Sequence, residues 1–570
     1  MSQFRIPMAS AYTTRFSASN VLGAVSGIVG QGIVGMMIVG KVGSASKDGQ
    51  LINCLVTTVS DPIQNVKRSY LVKRPGFSTA ITPAAGSIGN ALMIWTGKGT
   101  GVEVVSAFGS TNSTLYLTTT SLGSITGLAT GIVETFIGTE PTLLISSSDN
   151  TAWQITSDAI TVALTFTGDT HTNTTVDNIS STAGLVVGQL LTGTGFAANT
   201  RIASINSATA ITTTLATTAT NAGVTITRTM LGKIVDADFP GNAGRALAGT
   251  FSVMDGYAAI MDTEGTLWAS DLNTTSAWNP LSFDESNAYP DKGVGCIRQK
   301  NFILAFGTES LQFFFNAGLT PFPFSKSVAM TVKVGAVSPK AITQIADSVF
   351  WCGSTPQGGL SIFTYDGSIS RVSTPEIDGL LILAGAQNVS MTTIRFYGRS
   401  FVLINASNTT YAYCIEEGNW FQMLSSVNLW YKCVGVSIGG TMVNYAISNT
   451  ETSGKVYSMN PASFVYADDS VSYTSTAQLP PVDHGTSARK FYSEIELICD
   501  REISTSPIDL LYSDDDYQSF TTWGTLDLSD ARPRALRLGS GRKRIWAISH
   551  SAQTPFRIEY LQGKMEVGTS

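Results

Sequence analysis

The side chains through which this chain could do chemistry are few and scattered. Histidine occurs three times, as His171, His484 and His550. None has metal-ligand spacing or a nucleophile motif beside it, and no H-E-x-x-H or P-loop pattern is present. The six cysteines, Cys54, Cys296, Cys352, Cys414, Cys433 and Cys499, lie far apart with no C-x-x-C pair. They read as small buried apolar residues of a chain folded under reducing conditions. The densest charged group is basic: Arg532, Arg534, Arg537, Arg542, Lys543 and Arg544. A strand-turn-strand course would put several of them on one surface. Such a surface can be a solvated face, pair with an acidic neighbouring subunit, or touch phosphate. Few aromatics interleave with it, which argues against single-stranded nucleic acid. No metal or cofactor is expected.

A second constellation lies just upstream. Ser513-x-Asp515-x-Tyr517-x-Ser519-Phe520 resembles the Asp-box hairpin of sialidase-like propellers, with Tyr517 where that motif has glycine. The Asp box stabilises a turn and is not catalytic. Asp514, Asp515 and Asp516 could also begin a calcium site, but the further oxygen ligands it needs are not visible in the sequence.

The elements that must position these groups are strands. Charged residues make up 13% of the 570 and hydrophobic residues 43%, with abundant Gly, Ser and Thr, a balance that favours β structure. The length allows about three to four domains. The net charge of −6 does not mark the whole surface for nucleic acid. Tyr289 to Phe324 sets the pattern. Gly293–Arg298 leads in, Asn301–Phe306 is a short strand, Gly307–Ser310 a turn, and Leu311–Phe315 an aromatic-rich strand. Similar sets recur along the chain. The predicted fold is all-β: a β-propeller of six or seven blades (residues 85–165 and 231–469), a small β-domain inserted at 166–230, and a C-terminal β-sandwich at 470–570. Loop insertions of this kind add little closure entropy when their ends lie close together.

Residues 1–84 read as a separate N-terminal segment. Within it Val21 to Gly40 carries no charge, and six of its twenty residues are glycine. Ile28, Ile33 and Ile38 repeat at a spacing of five, which suits neither helix nor strand. It could pack between subunits, contact a host envelope, or span a bilayer as a helix. No secretory signal is seen at MSQFRIPMAS. Tyr70-Leu71-Val72 runs into Lys73-Arg74-Pro75-Gly76, read as a turn.

FRIPM at 4–8, INCLVTTV at 52–59 and YLVKRPGF at 70–77 resemble the N-terminal signature of the packaged-DNA stabilisation proteins of short-tailed phages. The stretch 289–324 is similar to that family's propeller. Phe363–Gly367, followed by Ser370–Asp378, is similar to its next blade. The 21–40 segment and the 166–230 insertion are not part of the pattern. The resemblance implies a structural virion protein, the tail nozzle or hub, assembled in the host cytoplasm. It implies a homo-hexamer below the portal-adaptor ring, with genomic double-stranded DNA passing through the lumen. It further implies a tail needle or plug, anchored fibres or tailspikes, and transient contact with the host envelope. Two other classes stay open: a tail adhesin acting through the insertion, and a propeller glycosidase. The glycosidase needs paired carboxylates or a tyrosine nucleophile, and no single blade supplies an obvious set.

Overall fold

The computed structural model describes residues 2–7, 50–61, 66–97, 103–136, 140–286, 289, 291–354, 359–407, 409–425, 430–481 and 484–568. The segment 21–40 lies outside them. Short strands follow one another across tight turns, so each takes its chain neighbour as first partner. Among the described residues this produces seven successive antiparallel sheets, each with four strands. Blade 1 opens with Gly89–Trp95, blade 2 with Ala129–Thr135, blade 3 with Leu247–Met254 and blade 4 with Gly293–Gln299. Blade 5 opens with Ile342–Ile345, blade 6 with Val389–Phe396 and blade 7 with Lys432–Ile438.

Each blade buries both faces, and this explains the continuous apolar runs. In blade 4, Ile303, Ala305 and Phe314 pack towards blade 3. Leu304, Phe306, Leu311 and Phe313 pack towards blade 5. Phe306 meets Trp351 at 5.3 Å and Phe313 meets Tyr365 at 5.0 Å, both edge-on. Burying one such ring contributes roughly 1.5–3 kcal/mol. Every adjacent pair of blades shares a core of this kind, including blades 7 and 1 through Ile447, Val456, Ile94 and Phe108. The ring is therefore closed by side chains. It is also closed by backbone, because Ser78–Ile81 adds the outer strand of blade 7 beside Val456–Met459.

The insertion leaves blade 2 after Ala152–Thr156 and returns along Thr220–Lys233. That long strand pairs with Thr165–His171 inside the insertion, and its end, Gly232 and Lys233, completes blade 2 against Gln154 and Trp153. Val176, Leu191, Ile202, Ile211 and Ile226 form a separate core there.

The first residues do not form a unit of their own, which corrects the reading of 1–84. Val66–Lys73 pairs with Arg557–Val567, and Cys54–Asp61 pairs with Val66–Lys73. Ser2–Pro7 also lies on Arg557–Val567. These strands join Lys490–Cys499 and Arg534–Gly541 in one sheet of the C-terminal sandwich. The facing sheet holds Ser475–Gln478, Ile545–His550, Pro507–Ser513 and Thr521–Asp527. Leu51–Ile52 then runs between Trp420–Met423 of blade 6 and Ser475–Gln478, so propeller and sandwich share a continuous sheet.

Where these parts meet, the Lys73-Arg74-Pro75-Gly76 stretch is buried. Arg74 has no exposed surface and forms a bidentate pair with Asp468 at 3.2 and 2.6 Å. Its Nε donates to Asn53 Oδ1 at 2.8 Å, and its Nη2 to the Leu424 carbonyl at 3.1 Å. The guanidinium lies 3.8 Å from the Tyr473 ring and 4.9 Å from that of Trp430. Asp468 Oδ1 also accepts from the Phe77 amide. A Cβ at Gly76 would fall 2.0 Å from the Ala467 carbonyl oxygen, so only glycine allows this approach. Beside it, Lys73 Nζ lies 3.2 Å from His550 Nδ1 and bonds the Ala552 carbonyl. Burial and the Arg74 charge pull Lys73 down to about 7. Burial and the Lys73 charge pull His550 down to about 3.

Two outcomes follow from this junction. Removing one partner strands a buried charge, so Arg74→Ala or Asp468→Ala is expected to cost about 3–5 kcal/mol in urea unfolding. The apolar double variant Arg74→Met/Asp468→Leu is expected to lose less than the sum; an additive loss counts against the pair. His550 is neutral in the fold, whereas the unfolded chain takes up its proton below about pH 6.5. Stability is therefore lost as pH falls from about 6.5 towards about 3. Between pH 7 and pH 4 the wild type is expected to lose about 3 kcal/mol more than His550→Gln. Equal losses would rule out this assignment.

Candidate functional site

The six basic residues do not share one surface. Arg544 points between the two sheets of the sandwich and is only 3% exposed. It forms a bidentate pair with Asp514 at 2.8 and 2.6 Å, donates to the Leu538 carbonyl, and lies 4.1 Å from the Tyr512 ring. It is a packing group, with no face for a ligand. Arg532 and Arg534 stand on the outer face opposite Glu496 and Glu494. Arg532 is bidentate to Glu496 at 2.8 and 2.6 Å, and Arg534 lies 3.7 Å from Glu494, which also accepts from Lys564. The Lys564 and Arg532 hydrogen bonds hold Glu494 and Glu496, respectively, below the usual carboxylate range. Lys543 pairs with Asp516 at 2.9 Å. Arg537 and Arg542 stay exposed, and no ion pair engages them among the described residues. Strand periodicity cannot separate these roles, because a bulge and the left-handed residue Arg537 (φ +62°) interrupt the alternation.

The Asp-box-like turn joins Pro507–Ser513 to Thr521–Asp527 in the sandwich. Asp515 accepts from the Ser519 amide at 3.0 Å and from the hydroxyls of Ser513 and Ser519. The Ser519 hydroxyl, above all, lowers Asp515 to about 2. Tyr517 has φ +67°, the left-handed conformation for which the motif uses glycine. Its hydroxyl donates to the Leu479 carbonyl at 2.9 Å, which secures the ring in the core. Calcium does not fit here. Asp514 serves Arg544, Asp515 the serines and Asp516 Lys543, so the three carboxylates diverge. No group of three or more His, Cys, Asp or Glu able to hold a metal occurs among the described residues.

Catalytic geometry is equally sparse. A G-x-S-x-G pattern, not expected from the sequence, does occur at Gly435-Val436-Ser437-Ile438-Gly439, the spacing of a hydrolase nucleophile elbow. The elbow needs a strand-to-helix turn, whereas Ser437 lies exposed near the end of the inner strand of blade 7. The histidines are engaged elsewhere: His171 with Asp177 at 2.7 Å, His550 with Lys73 and Ser506, and His484 near Tyr492. Glu140, which hydrogen-bonds Asp158, lines a polar cleft of about 280 Å³ between blade 2, the insertion and blade 3. Burial, and then the hydrogen bond and charge of Asp158, raise Glu140. Nothing in the sequence marks this pair. Carboxyls in direct hydrogen bond leave no room for a sugar between them, unlike the separated pairs of glycosidases. All six cysteines are free, and burial pushes Cys296, Cys352, Cys414 and Cys433 up to about 12, which makes them inert thiols. Among the described residues no helix is long and apolar enough to cross a membrane.

One short helix, Pro375–Ala384, escapes the sequence reading although its start is legible. Thr374 caps it through the Ile377 amide and Pro375 takes the first position.

Comparison with known proteins bears on the propeller. Residues 187–443 match the family model Phage_stabilise, described as the β-propeller of bacteriophage P22 Gp10. The match opens inside the insertion and ends in the second strand of blade 7. No curated protein matches the chain. Solved structures resemble it only weakly. The BBS1N–ARL6DN complex is 11% identical, covers 68% of this chain and 98% of its own, and has a TM-score of 0.36. The computationally designed Ika8 protein is 10% identical, with 67% and 99% covered and a TM-score of 0.32. An exo-β-1,3-galactanase of Phanerochaete chrysosporium is 8% identical, with 56% and 95% covered and a TM-score of 0.22. Such likenesses say nothing about activity. The matched residues take in blades 3 to 6 and contain the 289–324 stretch: over this part of the propeller the chain is similar to the phage packaged-DNA stabilisation family.

Proposed function

We propose that the chain is the tail nozzle or hub of a short-tailed phage, working through extended surfaces and without catalysis. The observation that carries this reading is the family match over residues 187–443. In this reading six copies form a ring below the portal-adaptor ring, and their joint lumen passes the genomic DNA. A needle or plug retains the genome, and the outer surfaces anchor fibres or tailspikes. The shared sheet and the buried Arg74 junction support the mechanical side, since a propeller tied to its sandwich resists shear from packaged DNA. The charge distribution supports a wall that DNA can slide along. Net charge is −6, and four of the six clustered basic residues are already paired within the chain. Arg537 and Arg542 are the members left for a neighbouring subunit or a phosphate. A ring contact of this kind would repeat around the cyclic axis.

The adhesin reading draws on the insertion, which has its own core. One experiment separates the two. An amber codon early in the gene is expected to give heads that package DNA and then leak it, with stumps that end at the adaptor in electron micrographs. Full heads with complete tails and failed adsorption would overturn the nozzle and favour the adhesin.

A further inference from the structure

Four strands running up and down return the chain to the face from which it started, so the first strand of every blade begins at the same face of the propeller. These strands surround the axis. Basic residues gather at their starts: Arg245 before blade 3, Lys292 before blade 4, Lys340 in the turn Pro339–Ala341 before blade 5, and Lys432 at the start of blade 7. Arg245 has a distant partner in Asp262 at 3.9 Å. Asp291, beside Lys292, turns to its own blade, accepting from the Glu309 amide and the Ser310 hydroxyl.

Lys340 and Lys432 differ from these. Their ammonium groups lie 5.8 and 5.5 Å from one ring, that of the buried Tyr431. No hydrogen bond or ion pair engages either ammonium among the described residues. Lys432 is half-buried, and burial together with the Lys340 charge pulls it down to about 8. The Cys433 thiol is the one group that opposes this, and no carboxylate contributes. A tyrosine face attracts cations but carries no net charge, so it cannot neutralise two of them. Like charges held together without a counter-charge are unfavourable, and more so where water is partly excluded. An anion placed between them would remove that penalty.

We propose that this mouth of the propeller axis, at Lys340, Tyr431 and Lys432, binds a phosphate-type oxyanion, either free or carried on a nucleic-acid backbone. The two ammonium groups donate to its oxygens, and Tyr431 holds them in place. The site needs only one folded chain, so it stands independently of the nozzle reading.

The test melts the full chain at pH 7 in chloride or inorganic phosphate at matched ionic strength. Phosphate is expected to raise the wild-type melting temperature by about 2 °C or more. Lys432→Gln and, at the exposed position, Lys340→Gln are each expected to lose that rise and to melt no lower than wild type in chloride. No phosphate-specific rise, or an equal rise in the variants, would overturn the proposal. So would a lower melting temperature of Lys432→Gln in chloride, which would mean that its ammonium has a partner within the chain. A short DNA duplex that competes with phosphate identifies the backbone as the source. Phosphate binding without competition identifies a free anion.

Discussion

A guanidinium with no exposed surface holds the parts of this molecule together. Arg74 reaches the 468 region through its carboxylate, blade 6 through the Leu424 carbonyl, and the N-terminal strand region through Asn53. A buried ion pair is weak evidence of stability in itself, because desolvation offsets most of the attraction. What it supplies here is geometry. Five donors in a fixed plane can be satisfied only when strands distant in sequence are in register. Asn53, in the left-handed conformation at φ +55°, answers with its own amide to the Thr474 carbonyl and accepts from the Leu424 amide. The junction therefore acts as a check on assembly: each part is complete only when the others are present.

The same dependence runs through the chain ends. Blade 7 takes its outer strand from residues 78–81, and the sandwich takes strands from residues 2–7, 54–61 and 66–73. A propeller closed by its own cores would still have a seam where the last blade meets the first. Here the chain leaves the sandwich strands, adds Ser78–Ile81 to blade 7 and crosses that seam into blade 1. Opening blade 7 means pulling on Ser78–Ile81, which lies just beyond the buried Arg74-Pro75-Gly76 segment. Local opening is thus coupled to loss of the junction.

Charge is arranged in a related way. Basic residues that look like an exposed patch are spent on Glu494, Glu496, Asp514 and Asp516. At the inner mouth of the propeller Lys340 and Lys432, beside Tyr431, have no such partner among the described residues.

Local order was legible in the sequence because it depends on neighbours in the chain. The hairpin turning through Gly307–Ser310, the strand ending at Tyr365 and the left-handed place of Tyr517 all follow from short-range spacing. The all-β class follows from composition for the same reason. The propeller also appears in the recurrence of strand sets, although recurrence leaves the closure open. What only the tertiary structure decided is long-range. Leu51–Ile52 pairs with residues 422 and 476–477, and Leu71 and Val72 pair with 558 and 557. Propensity has no term for partners at such separations, so residues 1–84 read as a segment of their own. Arg544 and Arg537 are chemically alike and seven positions apart. One is enclosed by Tyr512, Tyr492 and Trp546, and the other faces solvent. Side-chain type sets what a residue can do, but burial sets what it does, and burial is settled only when distant strands have packed.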